Sequence, residues 1–122
     1  MTIFRYQDDE GRGPFRPGMT ERWLVDHESK PVGLINERGV WGVRGAIDRF
    51  IRLNRMPHQF GFGCETLDCL FRWFTQDERK TLNDLGYRIV AMMGDRILGN
   101  QNEVLFARRL PLSRRAVILT IE

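Results

Sequence analysis

Three stretches of this chain bring carboxylates, amides and guanidinium groups into arrangements that could do chemistry. The first is Gln101-Asn102-Glu103, running directly into Val104-Leu105-Phe106. Read as a strand, it places Gln101 and Glu103 on one face and Val104 and Phe106 on the other, because strand side chains alternate. An amide and a carboxylate side by side could line a cleft, or could be the watered side of a half-exposed strand. The second is Arg5, held between Phe4 and Tyr6 in a β-prone run. It reads either as a surface arginine pairing with Asp8 or as a cation turned into a site. The third is a set of arginines: Arg12 and Arg16 in a loop, and Arg108, Arg109, Arg114 and Arg115 around Leu110-Pro111-Leu112. A guanidinium is a planar, permanently charged fork matched to phosphate and carboxylate. These arginines are therefore either solvated turns or a phosphate grip, which Arg12 and Arg16 join if the fold brings the two stretches together.

Other chemistries have no footing. No G-x-S-x-G, phosphate-cradling glycine loop ending in lysine, or histidine–carboxylate cluster occurs. Gly61-Phe62-Gly63 is too short for a dinucleotide fingerprint. Cys64 and Cys69 have the spacing of neither a redox pair nor half a zinc site, and His27 and His58 lie far apart, so no metal is expected. Two free thiols suit a reducing compartment, no leader and no apolar run of ~18 residues is visible, and a cytoplasmic protein is expected.

The elements that must position these groups belong to one domain, 1–122, since 122 residues with 42% hydrophobic and 29% charged is an ordinary globular balance. The net charge of +3 comes almost wholly from arginine, with Lys30 and Lys80 the two lysines. That bias reflects either GC-rich coding or phosphate partners, and +3 by itself does not make a nucleic-acid binder. Residues 2–7 read as a strand ending in Asp8-Asp9-Glu10. The glycine- and proline-punctuated Gly11–Gly18 is a binding loop or a clamp laid across the sheet. Residues 20–26 read as a helical turn or a short strand, and Pro31–Gly45 as loop with one short extended piece. A helix runs from Ala46, with Ile47, Phe50, Ile51 and Asn54 on one face, and stops before Pro57. A strand follows over 58–64, then a helix capped by Thr66 with Leu67, Leu70, Phe71 and Phe74 as its core stripe. Thr75-Gln76-Asp77-Glu78 is a capping box that opens another helix ending at Gly86. Short strands over 87–92, 96–98, 103–107 and 116–121 complete the chain. The class is α+β, a small single domain with a strongly bent antiparallel or mixed sheet and two or three helices. Trp73 is expected in the core. Trp41, among glycines, packs in the core or serves as a contact residue.

Arg5 on the first strand, the central strand at Gly61 to Cys64 followed by a helix, and Gln101-x-Glu103 on a late strand together resemble the mono-ADP-ribosyltransferase family. The resemblance implies that fold, with NAD as substrate. It implies that Arg5, Gly61 and Cys64 contact the dinucleotide, that Glu103 holds the nicotinamide ribose and stabilises an oxocarbenium-like transition state, and that Gln101 orients the acceptor. Gly63-Cys64-Glu65-Thr66 stands where that family carries Ser-Thr-Ser, a departure that fits a non-catalytic member. Arg5-Tyr6, the Gly11–Gly18 loop, Phe62-Gly63-Cys64 with Leu67 to Phe74, and Glu103 to Phe106 also look like small proteins of phages and mobile elements that antagonise host defence. Two functions follow. One is NAD-dependent ADP-ribosyl transfer to a host macromolecule, with Glu103 essential. The other is a non-catalytic anti-defence or anti-CRISPR inhibitor that blocks a host protein or nucleoprotein complex through Arg12, Arg16, Trp41, Arg108 and Arg109, with direct nucleic-acid contact as an option and no membrane.

Overall fold

The computed structural model describes residues 1–110 and the strand Val117–Leu119. Arg114 and Arg115 lie outside the described residues. Two three-stranded sheets carry the fold, where the sequence suggested one bent sheet. In the first, β1 (Thr2–Gln7) pairs with β3 (Arg88–Met93), which also pairs with β6 (Val117–Leu119). In the second, β5 (Val104–Arg109) lies between β2 (His58–Gly63) and β4 (Asp95–Gly99). Every pairing is antiparallel.

Among the described residues the backbones of the two sheets meet in two places. Between β3 and β4 stands Gly94 alone, so one chain segment passes from sheet to sheet at a single corner. There the Gly94 N–H donates to the Met1 carbonyl at 3.0 Å. On the other side Phe4 and Cys64 form an isolated bridge, each N–H donating to the other's carbonyl at 2.7 and 2.8 Å.

Among the described residues four helices accompany the sheets. The alternatives for 20–26 resolve into one helical turn, α1 (Thr20–Trp23). α3 (Leu67–Trp73) begins at Thr66, whose hydroxyl accepts from the Cys69 N–H at 3.0 Å. α4 (Gln76–Asp84) has the reciprocal capping box, Thr75 with Glu78, and Gly86 follows it at φ 92°. The large correction is α2 (Leu34–Leu53), which occupies most of the stretch expected as loop. Four glycines between 33 and 45 lower helix propensity, but burial of Leu34 and Val43 against Leu105 outweighs it. The glycine signal is not lost altogether, since Gly39 breaks the helix at φ 76°, a conformation that a side chain resists.

Strand β5 is buried on both faces. Val104 and Phe106 pack with Ile3 and Met92 between the sheets, while Leu105 faces Leu34 and Val43 of α2. A third cluster, built on Tyr6, Trp23, Leu70, Phe74, Leu82 and Tyr87, fills the space under α1, α3 and α4. Glu78 is fully buried beside it. Its carboxylate accepts from the N–H groups of Thr75, Val25 and Asp26 and from Lys30 Nζ, tying the chain after α1 to the start of α4. Burial alone would raise its pKa, but the Lys30 ammonium and these N–H groups outweigh that and hold it at about 2.

Depressed below its unfolded value, Glu78 contributes stability that is complete above pH 4.5 and is lost as the pH falls toward 2. Glu78→Ala, which strands Lys30, should cost about 3 kcal/mol in urea unfolding at pH 7. In the variant the loss of stability between pH 5 and 3 should be correspondingly shallower.

Candidate functional site

A cavity of about 560 Å³ opens at the seam between the sheets, within the ~300–1,000 Å³ of small-molecule sites. β1 contributes Arg5 and Tyr6, β2 contributes Gly61 to Gly63 with Cys64 after it, and Glu103 comes from the turn before β5. Phe15, Leu70, Trp73 and Phe74 form an apolar wall, and Gly33, Ile35 and Asn36 bring the start of α2 to its edge.

Arg5 is 9% exposed, and among the described residues no carboxylate lies within ion-pair distance of it. Its Nε is buried with no hydrogen-bond partner. Asp8, the expected partner, instead binds Arg12 Nε at 2.9 Å and the N–H groups of Glu10 and Arg12. The Arg5 guanidinium sits over the Phe106 ring, 5.5 Å from its centroid. Gly13 and Gly61 flank it so tightly that a Cβ on either would fall 2.6 Å from its terminal nitrogens. Burial, and after it the charge of Arg108, lower its pKa to about 10 against an opposing pull from Asp8. Arg5 therefore stays charged at neutral pH and supplies the cavity with a cation lacking its anion.

Glu103 is the cavity's carboxylate. One oxygen accepts from the Leu34 N–H at the first position of α2. Gly33, the residue before it, has no side chain to cap the helix, so Glu103 caps it from another element. Burial raises the Glu103 pKa, and the Leu34 N–H partly offsets the rise. Glu103 is held in place by Asn100, whose Oδ1 accepts from the N–H groups of Asn102 and Glu103. The Asn102 carbonyl accepts from Trp73 Nε1 at 2.7 Å and from the thiols of Cys69 and Cys64 at 2.9 and 3.5 Å.

This turn corrects the strand alternation expected for Gln101 and Glu103. β5 begins only at Val104, and Gln101 is exposed, its carbonyl bound by Arg72, outside the cavity lining. Gly61 and Cys64 do line it, but burial and the neighbouring Cys69 thiol push the Cys64 pKa up, leaving a protonated thiol and no nucleophile. The sequence did not single out Lys30, Gly33 or Phe15 for this wall. Their contributions depend on partners 48 to 70 positions away, such as Glu78 for Lys30 and Glu103 for Gly33.

The arginines proposed as a contact patch are dispersed. Arg12 is ion-paired to Asp8 and Glu10, and Arg16 Nη2 donates to the Tyr87 hydroxyl at 3.2 Å. The Gly11–Gly18 loop is fixed as a clamp would be, with Trp23 Nε1 donating to the Pro14 carbonyl at 3.0 Å. It also walls the cavity through Phe15 and Arg16. Arg108 is buried with its Nε on the Met93 carbonyl, while Arg109 is exposed. Trp73 is half-buried as a cavity wall. Trp41, at 82% exposure, is not a core residue.

The family described as Bacteriophage T4 Y00F protein matches residues 1–109, and the chain belongs to that family. It is a phage protein. No curated protein and no solved structure matches it. Among the described residues no helix is long and apolar enough to cross a membrane.

Glu103→Ala removes the Leu34 cap and should cost about 1 kcal/mol. Glu103→Gln keeps an acceptor oxygen and sheds a charge that burial disfavours. A raised folded-state pKa stabilises fully only below the unfolded value of 4.5, and that contribution fades as the pH rises through the folded one. Glu103→Gln should therefore melt at or slightly above wild type at pH 7, with the difference closing toward pH 4.5 in a thermal-melt series.

Proposed function

We propose that this phage protein takes a nucleotide-class ligand into the seam cavity, and that NAD is the ligand whose chemistry uses both Arg5 and Glu103. The observation that carries this reading is the Arg5 guanidinium, buried and without a counter-ion. An uncompensated buried cation destabilises a fold, and a phosphate or pyrophosphate is the group that a guanidinium fork matches best. Phe15 and Trp73 offer flat apolar surface for a ring. Glu103 has one oxygen committed to Leu34 and the other without a partner among the described residues, so it can accept from a ribose hydroxyl.

With NAD so placed, the reaction open to the site is ADP-ribosyl transfer to a host macromolecule. The bond between ribose C1′ and the nicotinamide nitrogen breaks, and nicotinamide leaves with the electron pair. Positive charge developing on the ribose is stabilised by the Glu103 carboxylate. A nucleophile on the acceptor bonds to C1′ and releases its proton to solvent. Gln101 is placed on the outer surface, where it would meet the acceptor and not the dinucleotide. A non-catalytic inhibitor of a host factor is the second reading, and the exposed Trp41 is what favours it.

Arg5→Met, which replaces a desolvated charge by an apolar chain of similar length, should raise unfolding stability by about 1 kcal/mol. In calorimetry it should also weaken NAD and ADP-ribose binding by at least tenfold. Glu103→Gln should bind NAD and transfer nothing to phage-infected cell extract supplied with labelled NAD. Absence of any NAD, ADP-ribose or AMP binding at millimolar ligand would defeat the nucleotide reading. Binding without transfer by wild type would defeat the enzyme and leave the ligand site.

A further inference from the structure

The outward face of α2 carries charge that nothing in the fold uses. From Leu34 to Arg55 there are five arginines (Arg38, Arg44, Arg49, Arg52 and Arg55) against Glu37 and Asp48, so this segment alone holds the +3 of the whole chain. Only Arg38 has a carboxylate within ion-pair distance among the described residues, its neighbour Glu37 at 3.6 Å. Arg44, Arg49, Arg52 and Arg55 are all exposed. Beyond the Gly39 break, Trp41, Gly45, Asp48 and Arg52 follow at i, i+4, i+7 and i+11, which is one row along a helix. Val43, Ile47 and Phe50 occupy the opposite, inward side. Trp41 stands on this row at 82% exposure. A Cβ on Gly45 would meet nothing within 4 Å, so a flat group could reach the indole without displacing a neighbour.

We propose that this face of α2 binds single-stranded nucleic acid, with the arginines on successive phosphates and a base stacked on Trp41. Arginine and aromatic side chains interleaved on one surface are what unpaired strands require, since every base offers a stacking face and every linkage a charge. A duplex offers charge but no open base face for the indole. An anionic lipid surface would take a continuous apolar stripe as well as cations. Val43 and Ile47 are instead spent on Leu105 and the second sheet, and the exposed Val40, Ile51 and Leu53 fall on either side of the Trp41 row, not along it. The surface is separate from the seam cavity, so this inference does not depend on the ligand proposed there.

The test is fluorescence anisotropy with a labelled oligothymidylate of about 20 nucleotides, a duplex of equal length and phosphatidylserine vesicles, titrated with the full chain at several salt concentrations. Micromolar binding to the single strand is expected, weakening with salt, and stronger than to the duplex or vesicles. Trp41→Ala, at a position too exposed to threaten the fold, should weaken binding about fivefold or more and leave the salt slope unchanged. Arg44→Ala with Arg52→Ala should flatten that slope by about 1.4. No single-strand binding at low salt, equal affinity for the duplex, preference for vesicles, or indifference to both the Trp41 and the arginine substitutions would each overturn the proposal.

Discussion

Two backbone hydrogen bonds between Phe4 and Cys64 set the geometry on which the site depends. They hold the edge of one sheet against the end of β2 in the other. The approach is possible because Gly63 has no side chain: a Cβ there would fall 2.5 Å from Ile3 Cγ2 and 3.0 Å from the Phe4 carbonyl. From that contact the cavity follows directly. Arg5 is the next residue along β1, Gly61 lies two residues before Gly63 on β2, and the two meet in the cavity lining. A bulkier residue at 63 would push the sheets apart and leave Arg5 to water.

The two sides of the molecule treat buried charge in opposite ways. Glu78 has four donors, one of them a cation, for its single carboxylate, so its burial holds α1, Lys30 and α4 in register. Arg5 has an aromatic face and two glycines but no anion. Fully satisfied buried charges specify structure, whereas an unsatisfied one destabilises the ligand-free fold and favours whatever arrives to neutralise it. That contrast singles out Arg5 over Arg12, which is ion-paired, and over Arg16, whose Nε also lacks a partner but whose Nη2 reaches the Tyr87 hydroxyl and Asp8.

Signals confined to a few neighbouring residues were legible in the sequence. The Thr66 cap, the Thr75–Glu78 box and the Gly86 stop each depend on groups within a few positions, and each stands where the pattern placed it. α2 was not legible, because its glycines speak against a helix locally while the burial that favours it comes from Leu105, some seventy positions on. Glu103 could be picked out as a cleft residue, but by an alternation that does not hold. It reaches the cavity from a turn that Asn100 organises, and Gln101, the other half of the pair, faces away. The division of the strands into two sheets was hidden as well, since it turns on Gly94, one glycine among many.

Glu103 also links the cavity to α2, and the nature of that link limits what a ligand could transmit. The carboxylate caps only the first turn of the helix, through Leu34. Gly39 then interrupts the helix before Trp41 and the arginines begin. A ligand drawing Glu103 toward itself would compete with the Leu34 N–H for an oxygen and loosen the residues before the break. Those after it are held independently, by Val43 and Ile47 against the second sheet. The break thus separates the capped first turn, which packs through Leu34 on Leu105, from the outer face that begins at Trp41.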